Sequence, residues 1–184
     1  MAETILCVGK LKEKYWRDAA GEYEKRLTRL TRLEIVELPD LPEPQNASDA
    51  DRDKIKKREG EAILSRLRPD DDVVALCIEA PEWSSERLSA FLSSQDQGGR
   101  RTVFVIGGSL GLSDAVVARA NAKLSMSPMT VPHQLARVML LEQLYRARKI
   151  LAGEKSHQSK RGQEAANMRV KSGECSRPSA AEWR

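Results

Sequence analysis

The chain has 184 residues, a length that suits one domain with a sizeable core. It is 40% hydrophobic and 32% charged, with a formal net charge of +4, which is ordinary globular composition and excludes fibrous and wholly disordered classes. No apolar run approaches the ~18 residues of a membrane span, and no basic region precedes the first apolar stretch, so a cytoplasmic location is expected.

Thr4–Val8 reads as a first strand closed by Gly9. Lys12–Leu30 then places Tyr15, Trp16, Ala19, Ala20, Tyr23, Leu27 and Leu30 at helical spacing. Leu33–Leu38 alternates apolar and acidic residues and predicts a second strand. Pro39–Asp51 holds three prolines with Asn46 and Ser48, and predicts a long loop; a passive surface role and a lid over the substrate both fit it. Asp53–Leu67 predicts a charged second helix.

Val73–Ile78 is a continuous apolar run, the mark of a strand buried on both faces. Ser84 or Ser85 can cap a helix reaching about Leu92, and Gln95–Gly99 reads as a turn. Thr102–Ile106 is a second fully apolar strand, running into Gly107-Gly108-Ser109-Leu110-Gly111-Leu112. Ser113 caps a short helix over Asp114–Asn121, and Lys123–Ser125 is a short strand. Pro132 opens a long last helix reaching about Ala152, before Gly153. Strands and helices alternate throughout. The expected fold is therefore α/β, a parallel sheet with helices on both faces.

Three scattered cysteines make no disulfide framework, and Cys7 and Cys77 read as buried small hydrophobes. With only His133 and His157, and no C-x-x-C pair, no metal site is expected. The positive excess lies mostly in the polar segment 158–184. Lys160, Arg161, Arg169, Lys171, Arg177 and Arg184 stand there against Glu164, Glu174 and Glu182. That segment reads as a disordered tail.

Ligands of open parallel sheets bind beyond the carboxyl ends of the strands. Three features converge there. The glycine turn Gly107-Gly108-x-x-Gly111 can cradle a cofactor or serve as a plain strand-to-helix turn. It lacks the G-x-G-x-x-G spacing and the following acid of a dinucleotide site. Met126–His133 is a stiff apolar loop with Pro128 and Pro132, suited to an adenine ring or to a buried connection. The last helix is apolar over a wide arc, which fits either packing on both its own sheet and a second subunit or plain deep burial. Arg137, Arg146, Arg148 and Lys149 on that helix could meet phosphate or be solvated charge.

The segments Phe104–Ser113, Met126–Arg137 and Glu142-Gln143-Leu144-Tyr145-Arg146-Ala147 occur in that order. With Val8-Gly9-Lys10-Leu11-Lys12 and Glu59-Gly60-Glu61, they resemble the RlmH family of bacterial ribosomal RNA large-subunit methyltransferase H proteins, in the SPOUT superfamily. The resemblance covers residues 1 to about 157. It implies a single knotted domain with a C-terminal trefoil knot, S-adenosylmethionine as cofactor, and a homodimer packed through the knot. It also implies N3-methylation of a pseudouridine in 23S rRNA of the assembled 70S ribosome. The implied cofactor contacts are Leu76, Gly107, Met126, Ser127, Pro128, Met129, Thr130 and Val131. The candidate catalytic residues are His157, His133 and Arg137. His157 is the residue that the resemblance places at the edge of the active site. Ser156 stands where the family usually has tyrosine, and the chain continues well past the usual end. A noncatalytic RNA-binding protein of the same fold is the alternative; a nucleotide-dependent oxidoreductase would rest on the glycine turn alone.

Overall fold

The structure is a computed structural model that describes residues 2–154. Its strands are β1 (Ala2–Val8), β2 (Arg32–Leu38), β3 (Asp72–Leu76), β4 (Thr102–Ile106) and β5 (Ala122–Leu124). Its helices are α1 (Lys14–Leu27), α2 (Asp49–Leu64), α3 (Ser85–Gly98), α4 (Asp114–Arg119) and α5 (His133–Leu151).

All five strands are parallel, in the order β2-β1-β4-β3-β5. Side chains alternate across the sheet, so it has two apolar faces. Ile5, Cys7, Val74, Phe104 and Ile106 face one side, where Leu27 of α1, Leu88 and Leu92 of α3, and Leu140, Leu141 and Leu144 of α5 cover them. Leu6, Val8, Val73, Ala75, Val103 and Val105 face the other side, under Ile63 of α2 and Val116 of α4. The continuous apolar runs of β3 and β4 follow from this double burial: Val73, Val74, Ala75, Phe104 and Val105 have no exposed surface.

The element order matches the sequence reading, and several boundaries differ: β1 begins at Ala2, α1 is Lys14–Leu27 rather than Lys12–Leu30, and β3 ends at Leu76, short of Ile78. Helix α2 begins at Asp49 rather than Asp53, because Ser48 and Asp51 close a capping box. The proline-rich loop is therefore shorter than Pro39–Asp51, and α2 stops at Leu64, not Leu67. Helix α3 continues past Leu92 to Gly98, so the expected turn at Gln95–Gly99 is its last turn; Gly99 caps it at φ 67°. Ser84 is the cap at the other end, accepting a hydrogen bond from the Arg87 amide at 3.1 Å. Cys7 is buried as expected, whereas Cys77 is only half-buried.

Candidate functional site

The sheet order brings together segments that are far apart in the chain. β4, β3 and β5 are adjacent, and the segments beyond their carboxyl ends surround a cavity of about 630 Å³. Leu76, Cys77 and Ile78 follow β3; Ile106 to Gly111 follow β4; Leu124 to Ser127 follow β5. Met129 to His133 and Ala136 complete the wall where the chain enters α5. The volume is that of a pocket for a nucleoside-sized ligand.

The glycine turn is shaped by its own backbone. A Cβ on Gly107 would lie 2.6 Å from the Gly111 carbonyl carbon and 3.0 Å from the Leu112 amide nitrogen. Gly111 has φ 77°, and its amide donates to the Gly108 carbonyl at 3.1 Å. The turn therefore doubles back tightly before α4 begins. The start of α4 does not turn its amides toward the cavity. The Ser113 side chain caps the helix, and a Cβ on Gly60 of α2 would lie 2.1 Å from its hydroxyl. That end of α4 is docked on α2, and neither Ser113 nor Asp114 lines the cavity.

The loop after β5 is held by short local bonds. The Ser125 hydroxyl donates to the Ser127 carbonyl, and the Met129 amide donates to the Ser127 hydroxyl, each at 3.0 Å. The Ser125 amide donates to the Pro81 carbonyl at 3.1 Å, which ties the loop to the segment after β3. Among the described residues, no aspartate, glutamate, lysine or arginine lines the cavity. Strand ends, glycines and a rigid loop leave backbone amides and carbonyls as most of its polar groups. Such a wall suits an uncharged heterocycle and gives no countercharge to a pyrophosphate. Together with the capped α4, this removes the support for a nicotinamide dinucleotide.

Of the residues singled out from sequence, Leu76, Gly107, Met126, Ser127, Met129, Thr130 and Val131 line the cavity, and Pro128 does not. His133 lines it from the start of α5. Burial lowers the imidazole's pKa below the ordinary 6.5, helped by Arg137 and Lys12 and opposed by Asp40 and Glu13. Gly9 runs so close that a Cβ there would sit 3.1 Å from His133 Nε2.

Arg137 is elsewhere. Its side chain is 5% exposed and donates to Glu37 Oε1 at 2.6 Å, to Cys7 Sγ at 2.6 Å and to the Gly9 carbonyl at 3.1 Å. It ties α5 to the ends of β1 and β2, and its charge is neutralised there. The other cations of α5 are also committed. Arg148 is buried against Glu3 and Asp96, Arg146 pairs with Glu142, and Lys149 with Glu154. Arg137 and Arg148 are thus buried with their carboxylates, whereas Arg146 and Lys149 stay partly exposed in local pairs, as solvated charges do. His157, Ser156 and the segment 158–184 lie outside the described residues.

Glu59 was not singled out as a site residue. It is buried at 6% exposure, and its carboxylate accepts the Leu41 amide at 3.1 Å. A Cβ on Gly108 would lie 3.0 Å from its Oε2. Burial raises its pKa, and Asp40 adds to the rise. It braces the loop after β2 against the back of the glycine turn. The only local signal was an acid among small residues in Glu59-Gly60-Glu61.

No group of three or more His, Cys, Asp or Glu among the described residues could hold a metal ion. No described helix is long and apolar enough to cross a membrane.

A family model described as "Predicted SPOUT methyltransferase" matches residues 1–157. The chain is 52% identical, over 155 residues, to the ribosomal RNA large subunit methyltransferase H of Clostridium acetobutylicum, covering 84% of this chain and 98% of that protein. A solved structure titled "Probable Methyltransferase" from Bordetella pertussis Tohama I is 14% identical with a TM-score of 0.47, covering 80% of this chain and 93% of that one. A methylase-family structure from Haemophilus influenzae Rd KW20 is 11% identical with a TM-score of 0.47, covering 82% of this chain and 66% of that one.

Proposed function

The chain belongs to the SPOUT methyltransferase family, and on that footing we propose that it methylates large-subunit ribosomal RNA with S-adenosylmethionine as methyl donor. The target in this reading is N3 of a pseudouridine in 23S rRNA of the assembled 70S ribosome, in the bacterial cytoplasm. One observation carries the assignment. Inside the matched residues lies a cavity at the carboxyl ends of β4, β3 and β5 whose described wall is apolar side chains, glycines, hydroxyls and one imidazole.

The cofactor fits the wall that is present. Leu76, Met126, Met129 and Val131 offer an apolar slot for adenine, and the backbone around Gly107, Ser127 and Thr130 can meet its edge and its polar tail. When bound, S-adenosylmethionine supplies a methyl group already activated on a sulfonium. The protein's task is then alignment of that methyl with the attacking nitrogen. The rigid bonds of Ser125, Ser127 and Met129 serve this end.

The N3 imide nitrogen carries a proton at neutral pH and must lose it as it takes the methyl. His133 is held neutral by its burial, so its imidazole can accept a proton at the cavity wall. His157 keeps the role the family resemblance gives it, as a group at the edge of the site. Arg137 acts as a positioning residue, fixing the start of α5 and with it His133.

The reading includes a trefoil knot in the C-terminal part and a homodimer packed through it. Two apolar groups at the cavity support a covering subunit: Met129 is 73% exposed and Ile78 is 51% exposed.

Labelled methyl transfer tests the proposal. Ribosomes lacking the modification should accept one methyl per 23S rRNA, and free rRNA far less. Absence of transfer to both substrates, with the protein folded, would overturn it.

A further inference from the structure

A second cavity opens at the opposite, amino end of the sheet. It measures about 150 Å³, the share of about five liquid waters at ~30 Å³ each. Register makes its floor: Thr4 of β1 lies beside Glu34 of β2 and Val103 of β4. Arg66 and Arg68, from the turn after α2, and Arg101, just before β4, make its walls. It sits on the face covered by α2 and α4, where Leu6 and Val8 also point. Val103 in its floor and Ile106 in the wall of the large cavity stand three residues apart on β4, about 10 Å at ~3.3 Å per residue.

Two independent features call for a ligand. The Thr4 hydroxyl is buried, on a residue 3% exposed, and has no hydrogen-bond partner among the described residues. Buried hydroxyls are nearly always paired, so an orphan beside a cavity is informative. The second feature is charge. Arg101 is held by a two-point bond to Asp71, at 2.8 and 2.6 Å. Arg66 and Arg68 are exposed and form no ion pair among the described residues. Arg119 adds a further cation, its guanidinium donating to the carbonyls of Arg68, Pro69 and Asp71. Three carboxylates, Asp71, Glu34 and Asp70, act on Arg101, and Asp71 also faces Arg68. Glu34 in the lining disfavours a dianion.

We propose that this cavity is a binding site for a singly charged phosphate group, held by Arg66, Arg68 and Arg101 with Thr4 as a hydroxyl donor. Guanidinium forks match phosphate oxygens in pairs, and the hydroxyl supplies a short neutral donor from below. The phosphate comes either from the RNA backbone or from free inorganic phosphate. The first source rests on the ribosomal RNA reading; the second does not.

The test uses the full chain and two variants: Arg66→Gln/Arg68→Gln, at exposed positions, and Thr4→Val, which keeps the shape. Inorganic phosphate is titrated by amide NMR shifts at Thr4, Arg66 and Arg101. Affinity for a 23S rRNA fragment is measured across salt concentration. If RNA supplies the phosphate, the double variant binds the fragment at least five-fold more weakly, and its log–log salt slope falls by about one to two. S-adenosylmethionine affinity then stays unchanged. If the ligand is free phosphate, saturable shifts appear in the parent protein and vanish in both variants, while RNA affinity holds. Thr4→Val should melt no lower than the parent, since it removes an unpaired hydroxyl, so its loss of phosphate response cannot be laid to misfolding. The proposal is overturned if phosphate causes no saturable shifts and the double variant binds RNA as the parent does. Failed methyl transfer with an intact phosphate response would count against the enzyme reading alone.

Discussion

His133 shows how burial turns a common residue into a specific chemical group. Its imidazole is half-covered at the cavity wall, and burial lowers its pKa below the ordinary 6.5. Between the folded value and ~6.5 the unfolded chain holds more protons than the folded one. Its stabilising contribution is therefore complete above ~6.5 and is lost as pH falls through the folded value. Urea unfolding at pH 7.5 and pH 5.5 should show the parent losing more stability on acidification than His133→Gln does. Equal losses would mean that the imidazole is not held neutral. Arg137 is the counterpart. Read along α5 it looks like a free cation, yet Glu37, Cys7 and Gly9 consume it. Burial pushes the Cys7 thiol up, with Arg137 opposing, so the sulfur stays an uncharged acceptor.

Among the elements, the turn after β4 is the most constrained. Gly107 is required because backbone from Gly111 and Leu112 fills the space a side chain would need. Gly107→Ala should destabilise the fold by about 1–3 kcal/mol, as overpacking of a tight site does. It should also weaken S-adenosylmethionine binding by more than the melting shift explains, because the turn is a cavity wall. Calorimetry beside thermal melting checks this; normal affinity in the variant would remove the turn from the site. Caps explain where sequence reading of elements succeeded and where it slipped. Ser84 and Ser113 announce α3 and α4 correctly. Ser48 was read as loop because three prolines precede it, yet its bond with Asp51 starts α2 four residues early.

For the whole molecule, the question is what covers the exposed apolar groups at the cavity. Met129 is 73% exposed, so Met129→Asp should change the stability of a lone subunit by no more than about 0.5 kcal/mol. In a homodimer packed at this place, the same change buries an unpaired charge. Sedimentation should then show the variant dissociating at concentrations where the parent remains a dimer. Identical profiles would place the subunit contact elsewhere. The buried group of Arg148 with Glu3 and Asp96 sets a limit on such surgery. It joins α5 to β1 and α3, and removing the arginine would strand two carboxylates, at a cost of about 3–5 kcal/mol.

Periodicity and capping are local, so the sequence by itself determined the order of strands and helices, the double burial of β3 and β4, and two of the segments that wall the large cavity, the glycine turn and Met126–His133. The motifs around Gly107, Met126 and Glu142 also carried the family resemblance. What only the tertiary structure decided is adjacency. Any parallel strand with two apolar faces can pair with any other, so nothing local announces β2-β1-β4-β3-β5. That order brings Leu76, Gly107 and Met126 to one cavity, and brings Thr4, Arg66 and Arg101 to another at the far end of the sheet. It also gives Arg137 and Arg148 their carboxylates, from residues 52 to 145 positions away. The partners of these two buried charges are set by long-range packing, so nothing along α5 announces them.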